Sequence, residues 1–376
     1  MARLPQGIIK RKDGLLQKRF TIQGKRYSIY AHTLDELANK EQAKRLEIAS
    51  GLYKPNNTIT LDDYFLEYIK SKEKHIKGSS LYNYKSIYYS HISKALGKRK
   101  LKDLELRECI SLQDNLRESE SVSIANRSLL VLATILNNAV ADEILVRNVA
   151  RGIKPIKEQS VKATKTIHKA LSEQEQESFL QELKENESYY YELIAFMLST
   201  GLRIGEVVAL SWKDINTRAN VIHITKTISR DVDGNRIITT PKTATSIRDI
   251  PMNPGIKNIL AEQKKKYFLN CQANGTPIDE RIFSTPYGLI PLPKQINREI
   301  ERTIKNLNEK GVKIHQITCH ALRDTFATRY IEQGGNPQTL KTILGHSSLA
   351  MTMDLYSQVM PNTKQEEMNR LQIKGL

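Results

Sequence analysis

A multidomain α+β protein is what this sequence predicts, and three observations carry that expectation. Its 376 residues exceed one ordinary domain, so two or three are expected. Apolar periodicity is strand-like at the start, helical through the middle, and mixed towards the end. Two stretches without such periodicity, Gly51 to Asn57 and Lys154 to Lys169, separate those regions. The predicted parts are a small three-stranded sheet plus helix over 1–54, a helical domain over 58–156, and a mainly α domain with a small antiparallel sheet over 168–376.

In the first part, GIIKRK, LLQKRFTI and KRYSIYAHT read as strands separated by the turn pairs Asp13-Gly14 and Gln23-Gly24. Thr33 followed by Glu36 opens a helix that runs to about Ser50. This short segment holds 12 Lys/Arg against 5 Asp/Glu. Lys10, Lys12, Lys18, Arg19, Lys25 and Arg26 all fall on the strands or their turns. A basic sheet face of this kind can lie in a DNA groove, although strands also carry lysine simply to prevent edge pairing.

The middle part reads as successive helices. TLDDYFLEYIKSK begins at Thr60 with Asp63 three positions on, then come SSLYNYKSIYYSHISKALG, KLKDLELRECISLQDNLRES and SVSIANRSLLVLATILNNAVADEIL. Lys77, Tyr82, Tyr84, Lys85, Tyr88 and Tyr89 mix basic and aromatic side chains. That mixture suits a phosphate backbone and equally an amphipathic helix packing its tyrosines. The basic stretch from 154 to 169 reads as an interdomain linker. Ser172 with Glu175 then opens the last domain as a capping box.

Formal charge is +17, which points to a polyanionic partner such as nucleic acid. Three cysteines, in no paired or metal-ligand spacing, fit a reducing cytoplasm. No run of 18 apolar residues and no signal-peptide pattern occurs, so neither a membrane partner nor export is expected. No metal-ligand cluster or phosphate-binding glycine loop is present, and no cofactor is expected.

The densest chemistry lies between His320 and Tyr356. His320 and Arg323 are three apart and share a helix face, held by Leu322, Phe326 and Ile331. Gly334-Gly335 ends that helix, Asn336-Pro337 starts the next, and Gly345 stops it just before His346. Tyr356 falls on a third short helix. With Arg203, upstream in STGLRIGEVVALSWKDI, these residues combine two guanidiniums, two imidazoles and a phenol. That set suits a phosphate with a nucleophile beside it. Taken singly, each residue has an ordinary structural reading, and only their joint arrangement speaks for chemistry.

These segments resemble the three boxes of the tyrosine recombinases, also called λ-type integrases. The T-G-L-R-x-x-E pattern falls on Thr200, Gly201, Leu202, Arg203 and Glu206; H-x-x-R on His320 and Arg323; L-G-H on Leu344 to His346; and the nucleophile on Tyr356. The resemblance covers the last 200 or so residues well, the middle moderately and the start weakly. It implies that Arg203, Lys242, His320, Arg323, His346 and Tyr356 are catalytic, and that Glu206 buttresses the site. Lys242, in TPKTATS between the strand-like segments GNRIITT and SIRDIPM, matches the family's β-hairpin lysine, with Lys226 as the alternative. It further implies an arm-type DNA-binding domain at 1–54 and a core-binding domain at 58–156. The expected partners are double-stranded DNA (core and arm-type sites), a homo-tetramer in the synapse formed from free monomers, and DNA-bending and excision accessory proteins. The C-terminal tail, with Met368, Leu371 and Ile373, is expected to dock on a neighbouring protomer. Alternatives are a Xer-like resolvase, a type IB topoisomerase, and a DNA-binding regulator with decayed catalysis.

Overall fold

The computed structural model describes residues 5, 7–11, 13–22, 25–49, 58–157, 170–241, 243–275 and 279–359, and the chain divides into two compact units, 1–159 and 160–376. Side chains at 25, 47–49, 244, 356, 358 and 359 are outside the description.

In the first unit, β1 (Ile8–Lys10), β2 (Leu16–Ile22) and β3 (Lys25–Ala31) form an antiparallel sheet in the order β1-β2-β3, followed by α1 (Leu34–Ala49). Alternation along the strands decides which side chains meet the helix. Leu16 and Ala31 face it and enclose a small core with Leu37 of α1, against which Ile8 and Ile29 pack. Thr33 caps α1 by accepting from the Glu36 amide at 3.2 Å, while the Glu36 carboxylate accepts from the His32 amide.

The helical part comprises α2 (Leu61–Lys72), α3 (Gly78–Ile87), α4 (Ser93–Leu96), α5 (Leu106–Ser119) and α6 (Val122–Ala141). A π-helical turn, Tyr88–Ile92, joins α3 to α4. The Thr60–Asp63 capping box starts α2 as expected. The long helix expected over KLKDLELRECISLQDNLRES is shorter: a 3-10 turn at Leu101–Asp103 comes first, and α5 starts where Glu108 accepts from the Glu105 amide. Among the described residues, α6 is the one helix long and apolar enough to cross a membrane. Here it packs on α5 and α2 and buries Ala125, Leu129, Leu132, Ile135, Leu136 and Ala139.

In the second unit the helices are α7 (Glu173–Glu185), α8 (Tyr191–Thr200), α9 (Ile204–Val207), α10 (Pro254–Asn274), α11 (Pro293–Glu309), α12 (Cys319–Glu332), α13 (Pro337–Leu344) and α14 (Leu349–Val359). Helix α8, YELIAFMLST, is apolar nearly all round, and such a helix must be covered on every side. It packs against α7, α10 and α12, with Phe196 against Phe283 at 5.3 Å between ring centroids. Ile296, Ile300, Ile304 and Leu307 give α11 one buried stripe.

VIHITKT, GNRIITT and SIRDIPM alternate like three successive strands, with Asp233-Gly234 as the turn of the first hairpin, and the observed pairing departs from that run. VIHITKT breaks into β5 (Val221–Ile224) and β6 (Thr227–Arg230), because Lys226 between them turns to Ser211 (3.0 Å) and Asp214 (2.9 Å). Among the described residues β6 pairs only with β7 (Arg236–Thr239), whereas β8 (Arg248–Pro251) joins β5 and the short β4 (Ile215–Asn216) in the order β4-β5-β8. Asp233-Gly234 does sit in the β6–β7 turn, which Asp231 holds by accepting from the Asp233 and Asn235 amides.

Candidate active site

The first component is Arg203, at the N-terminus of α9. Helix α8 ends at Gly201 with φ +63°, and a Cβ there would lie 2.3 Å from Phe326 Cδ1 and 2.9 Å from Leu344 Cδ2. Only glycine allows this turn, which hands the chain directly to Arg203. The Arg203 guanidinium donates from Nη1 to Glu206 Oε1 at 3.0 Å and remains 40% exposed.

Helix α12 supplies His320 and Arg323. Arg323 is buried at 3% exposure, and its Nη1 and Nη2 donate to the carbonyls of Gly201 (2.8 Å) and Leu344 (2.7 Å). Burial, and then the neighbouring Arg203 charge, pulls its pKa down to about 9, so the cation persists at neutral pH. Asn336 caps α13 through the Gln338 and Thr339 amides, Pro337 fills its first turn, and Gly345 at φ +66° ends it. His346 follows, with Nδ1 3.0 Å from Thr352 Oγ1. Burial together with Arg323, Arg203 and Arg248 presses its pKa down to about 4, so the ring is neutral at pH 7.

Arg203, His320, Arg323 and His346 line one cleft of about 330 Å³, with Asp324, Leu344, Met351, Asp354 and Leu355 among its other walls. Tyr356 directly follows Leu355 on α14, and its side chain lies outside the described residues, as Lys242 does entirely. The alternative lysine, Lys226, is held by Asp214 and Ser211. Cys319, beside His320, is a buried small side chain whose thiol is pushed up to about 12 by burial.

Sequence reasoning missed Arg248. Its fork spans the Glu206 carboxylate (Nη2–Oε2 2.9 Å, Nη1–Oε1 3.2 Å), and both side chains are 3% exposed. Burial pushes the Glu206 carboxyl up, but Arg248, aided by Arg203, outweighs it and holds the group below the ordinary carboxylate range. The signal was an arginine on the inward register of a strand, alternating with buried Ile250 in β8. Thr352 left no comparable mark.

The candidate DNA-facing residues fall in different places. Arg19 and Arg26 are exposed on the sheet face away from α1, whereas Lys18 is turned to α1 and pairs with Glu41. Lys10 is exposed at the end of β1; Lys12 and the Lys25 side chain lie outside the described residues. Lys77 is exposed at the start of α3 and Lys85 is half-buried on it. Tyr88 is packed rather than presented: fully buried, it stacks on Phe65 at 3.6 Å and donates to Asp62.

Residues 169–363 match the sequence model of the phage integrase family. The chain belongs to that family. It is a tyrosine-type site-specific recombinase, and residues 60–117 match the SAM-like N-terminal domain of phage integrases. The ICEBs1 integrase of Bacillus subtilis is 26% identical over 343 residues, 91% of this chain and 90% of that protein. The transposase from transposon Tn916 of Enterococcus faecalis is 29% identical over 208 residues, 54% of this chain and 50% of its own length. A tyrosine recombinase XerC-like protein of Caldanaerobacter subterraneus is 26% identical over 367 residues, covering 90% and 89%. Among solved structures, the Tn1549 transposon integrase in complex with a circular intermediate DNA has a TM-score of 0.69 at 23% identity, covering 84% of this chain and all of that one. A lambda integrase dimer bound to a COC′ core site gives 0.60 at 18%, covering 95% and 96%. At these identities the structural likeness establishes the fold.

Proposed function

We propose that this recombinase cuts and rejoins specific double-stranded DNA sites to integrate and excise a mobile element. Arg203 and Arg323 hold the non-bridging oxygens of the scissile phosphate and offset the charge of the pentacoordinate transition state. Neutral His346, its Nδ1 accepting from the Thr352 hydroxyl, donates from Nε2. The Tyr356 oxygen attacks phosphorus while His320 takes its proton, since a free phenol titrates near pH ~10. Lys242 gives a proton to the departing 5′-oxygen. A 3′-phosphotyrosyl bond replaces the phosphodiester, and attack by a 5′-hydroxyl on that bond rejoins the strands without ATP.

The observation that carries this reading is the single cleft shared by Arg203, His320, Arg323 and His346, next to the helix that bears Tyr356. Residues 1–54 then serve as the arm-type domain, 58–156 as the core-binding domain and 168–376 as the catalytic domain. Free monomers assemble as a tetramer on paired core sites in the cytoplasm, with DNA-bending and excision proteins assisting. The Xer-like reading shares every chemical step and differs in what residues 1–54 do.

The test is trapping on a nicked suicide substrate, with gel-shift affinity measured on the same core site. Tyr356→Phe abolishes the covalent adduct and leaves affinity within about twofold, because one oxygen is lost and no binding cation is touched. Adduct formation at the wild-type rate would send the search to another nucleophile.

A further inference from the structure

We infer that Arg248 is a positioning residue for strand cleavage: by occupying Glu206 it leaves the Arg203 guanidinium free for the scissile phosphate. The inference rests on the reading of Arg203 as a phosphate clamp. Its basis is the sharing of one carboxylate between two arginines. Glu206 Oε1 accepts from Arg203 Nη1 at 3.0 Å and from Arg248 Nη1 at 3.2 Å, while Oε2 accepts from the Arg203 amide at 3.0 Å and from Arg248 Nη2 at 2.9 Å. Arg248, buried and bidentate, takes the paired geometry; Arg203, 40% exposed, keeps a single side-chain contact.

The asymmetry has a chemical consequence. A buried carboxylate without a full partner is costly and draws in whatever cation can reach it. Without Arg248, a cation already in reach among the described residues is Arg203, whose amide and Nη1 both donate to Glu206. A bidentate Arg203–Glu206 pair would turn the guanidinium away from the cleft and cancel the charge that the phosphate requires. Glu206 therefore orients Arg203 with one oxygen, and Arg248 keeps that grip from tightening.

Arg248 also ties the neighbouring parts together. Its Nη1 donates to the Ser246 carbonyl at 2.9 Å and its Nε to the Ile343 carbonyl. The first contact fixes the segment that follows Lys242, and the second fixes the last turn of α13 ahead of His346. A Cβ built on Gly345 would lie 3.1 Å from both Arg248 Nη1 and the Thr245 carbonyl, so these segments are in close contact. A lysine at 248 would keep a charge near Glu206 but lose the fork that reaches both oxygens and Ile343.

The test is single-turnover cleavage of suicide substrates carrying either an ordinary scissile phosphate or a neutral methylphosphonate. The latter lacks the charge that Arg203 offsets. Arg248→Lys is expected to slow phosphate cleavage roughly 100-fold with core-site affinity unchanged, the cost of a misplaced reacting group. On the methylphosphonate its defect should shrink to a few-fold, as should that of Arg203→Ala. Arg248→Met with Glu206→Gln removes both buried charges, so it should fold, and should cleave at least about tenfold faster than Arg248→Met alone. Thermal melting of each variant reports the folded fraction. If the methylphosphonate spares Arg203→Ala but leaves the Arg248→Lys defect at full size, the role of Arg248 is overturned while the clamp stands. If it spares neither, the reading of Arg203 falls as well. Phosphate cleavage by Arg248→Lys at the wild-type rate also overturns the inference.

Discussion

Gly201→Ala exposes how tightly the site depends on one turn. At φ +63° an alanine costs about 1–2 kcal/mol for its left-handed backbone. Its Cβ would also meet Phe326 Cδ1 at 2.3 Å and Leu344 Cδ2 at 2.9 Å, and overpacking of this kind costs about 1–3 kcal/mol more. The sum is about 2–5 kcal/mol. In a unit of this size each kcal/mol moves Tm by about 2–4 °C, so a fall of roughly 4–20 °C is expected. The damage reaches the chemistry because Gly201 and Leu344 supply the two carbonyls that hold Arg323. Displacing them should slow cleavage by the folded fraction roughly 100-fold. Gly334→Ala is the control: φ is +77°, but nothing lies within 4 Å of its Cβ. It should lose about 1–2 kcal/mol and cleave normally below its melting point. Melting scans beside suicide-substrate cleavage measure both effects. Gly201→Ala matching Gly334→Ala in stability and rate would refute the packing argument and leave only the backbone cost.

Three further outcomes are expected. Lys242→Ala should slow cleavage of an ordinary phosphodiester by about 10²–10⁴ and recover on a 5′-bridging phosphorothiolate, whose leaving group needs no proton; equal impairment on both substrates would remove Lys242 as the acid. The folded-state pKa of His346, about 4 against an ordinary 6.5, means that its neutral form belongs to the fold. The stability this confers is complete above pH 6.5 and drains away as pH falls towards 4. His346→Gln should therefore flatten the acid limb of urea midpoints measured from pH 7 to 4.5, and an unchanged limb would contradict the assignment. Removing residues 1–54 should leave cleavage of an isolated core site intact and depress recombination between full attachment sites. The isolated segment should bind flanking DNA in gel shifts with a steep salt dependence. Failure of both would favour the Xer-like reading.

What the sequence determined alone is what neighbouring residues decide among themselves. Ser172 with Glu175, Thr60 with Asp63, and Asn336 with Pro337 mark helix starts in the chain and in the fold, because a cap spans three or four residues. The glycine at 345 stops α13 for a similarly local reason, and the resemblance of the boxes to those of the tyrosine recombinases named Arg203, His320, Arg323 and His346, which share the cleft. Strand pairing was not legible: β8 crosses to β5 rather than β7, and no local pattern states which edge a strand will join. That pairing sets Arg248 inward against Glu206, 42 positions away, and Ile343, 95 positions away. Likewise Lys18 and Arg19 look alike in the chain, and the two faces of one strand send the first to Glu41 and the second to solvent. Which charges are buried, shared or left free depends on contacts between distant segments, and only the assembled fold brings those segments together.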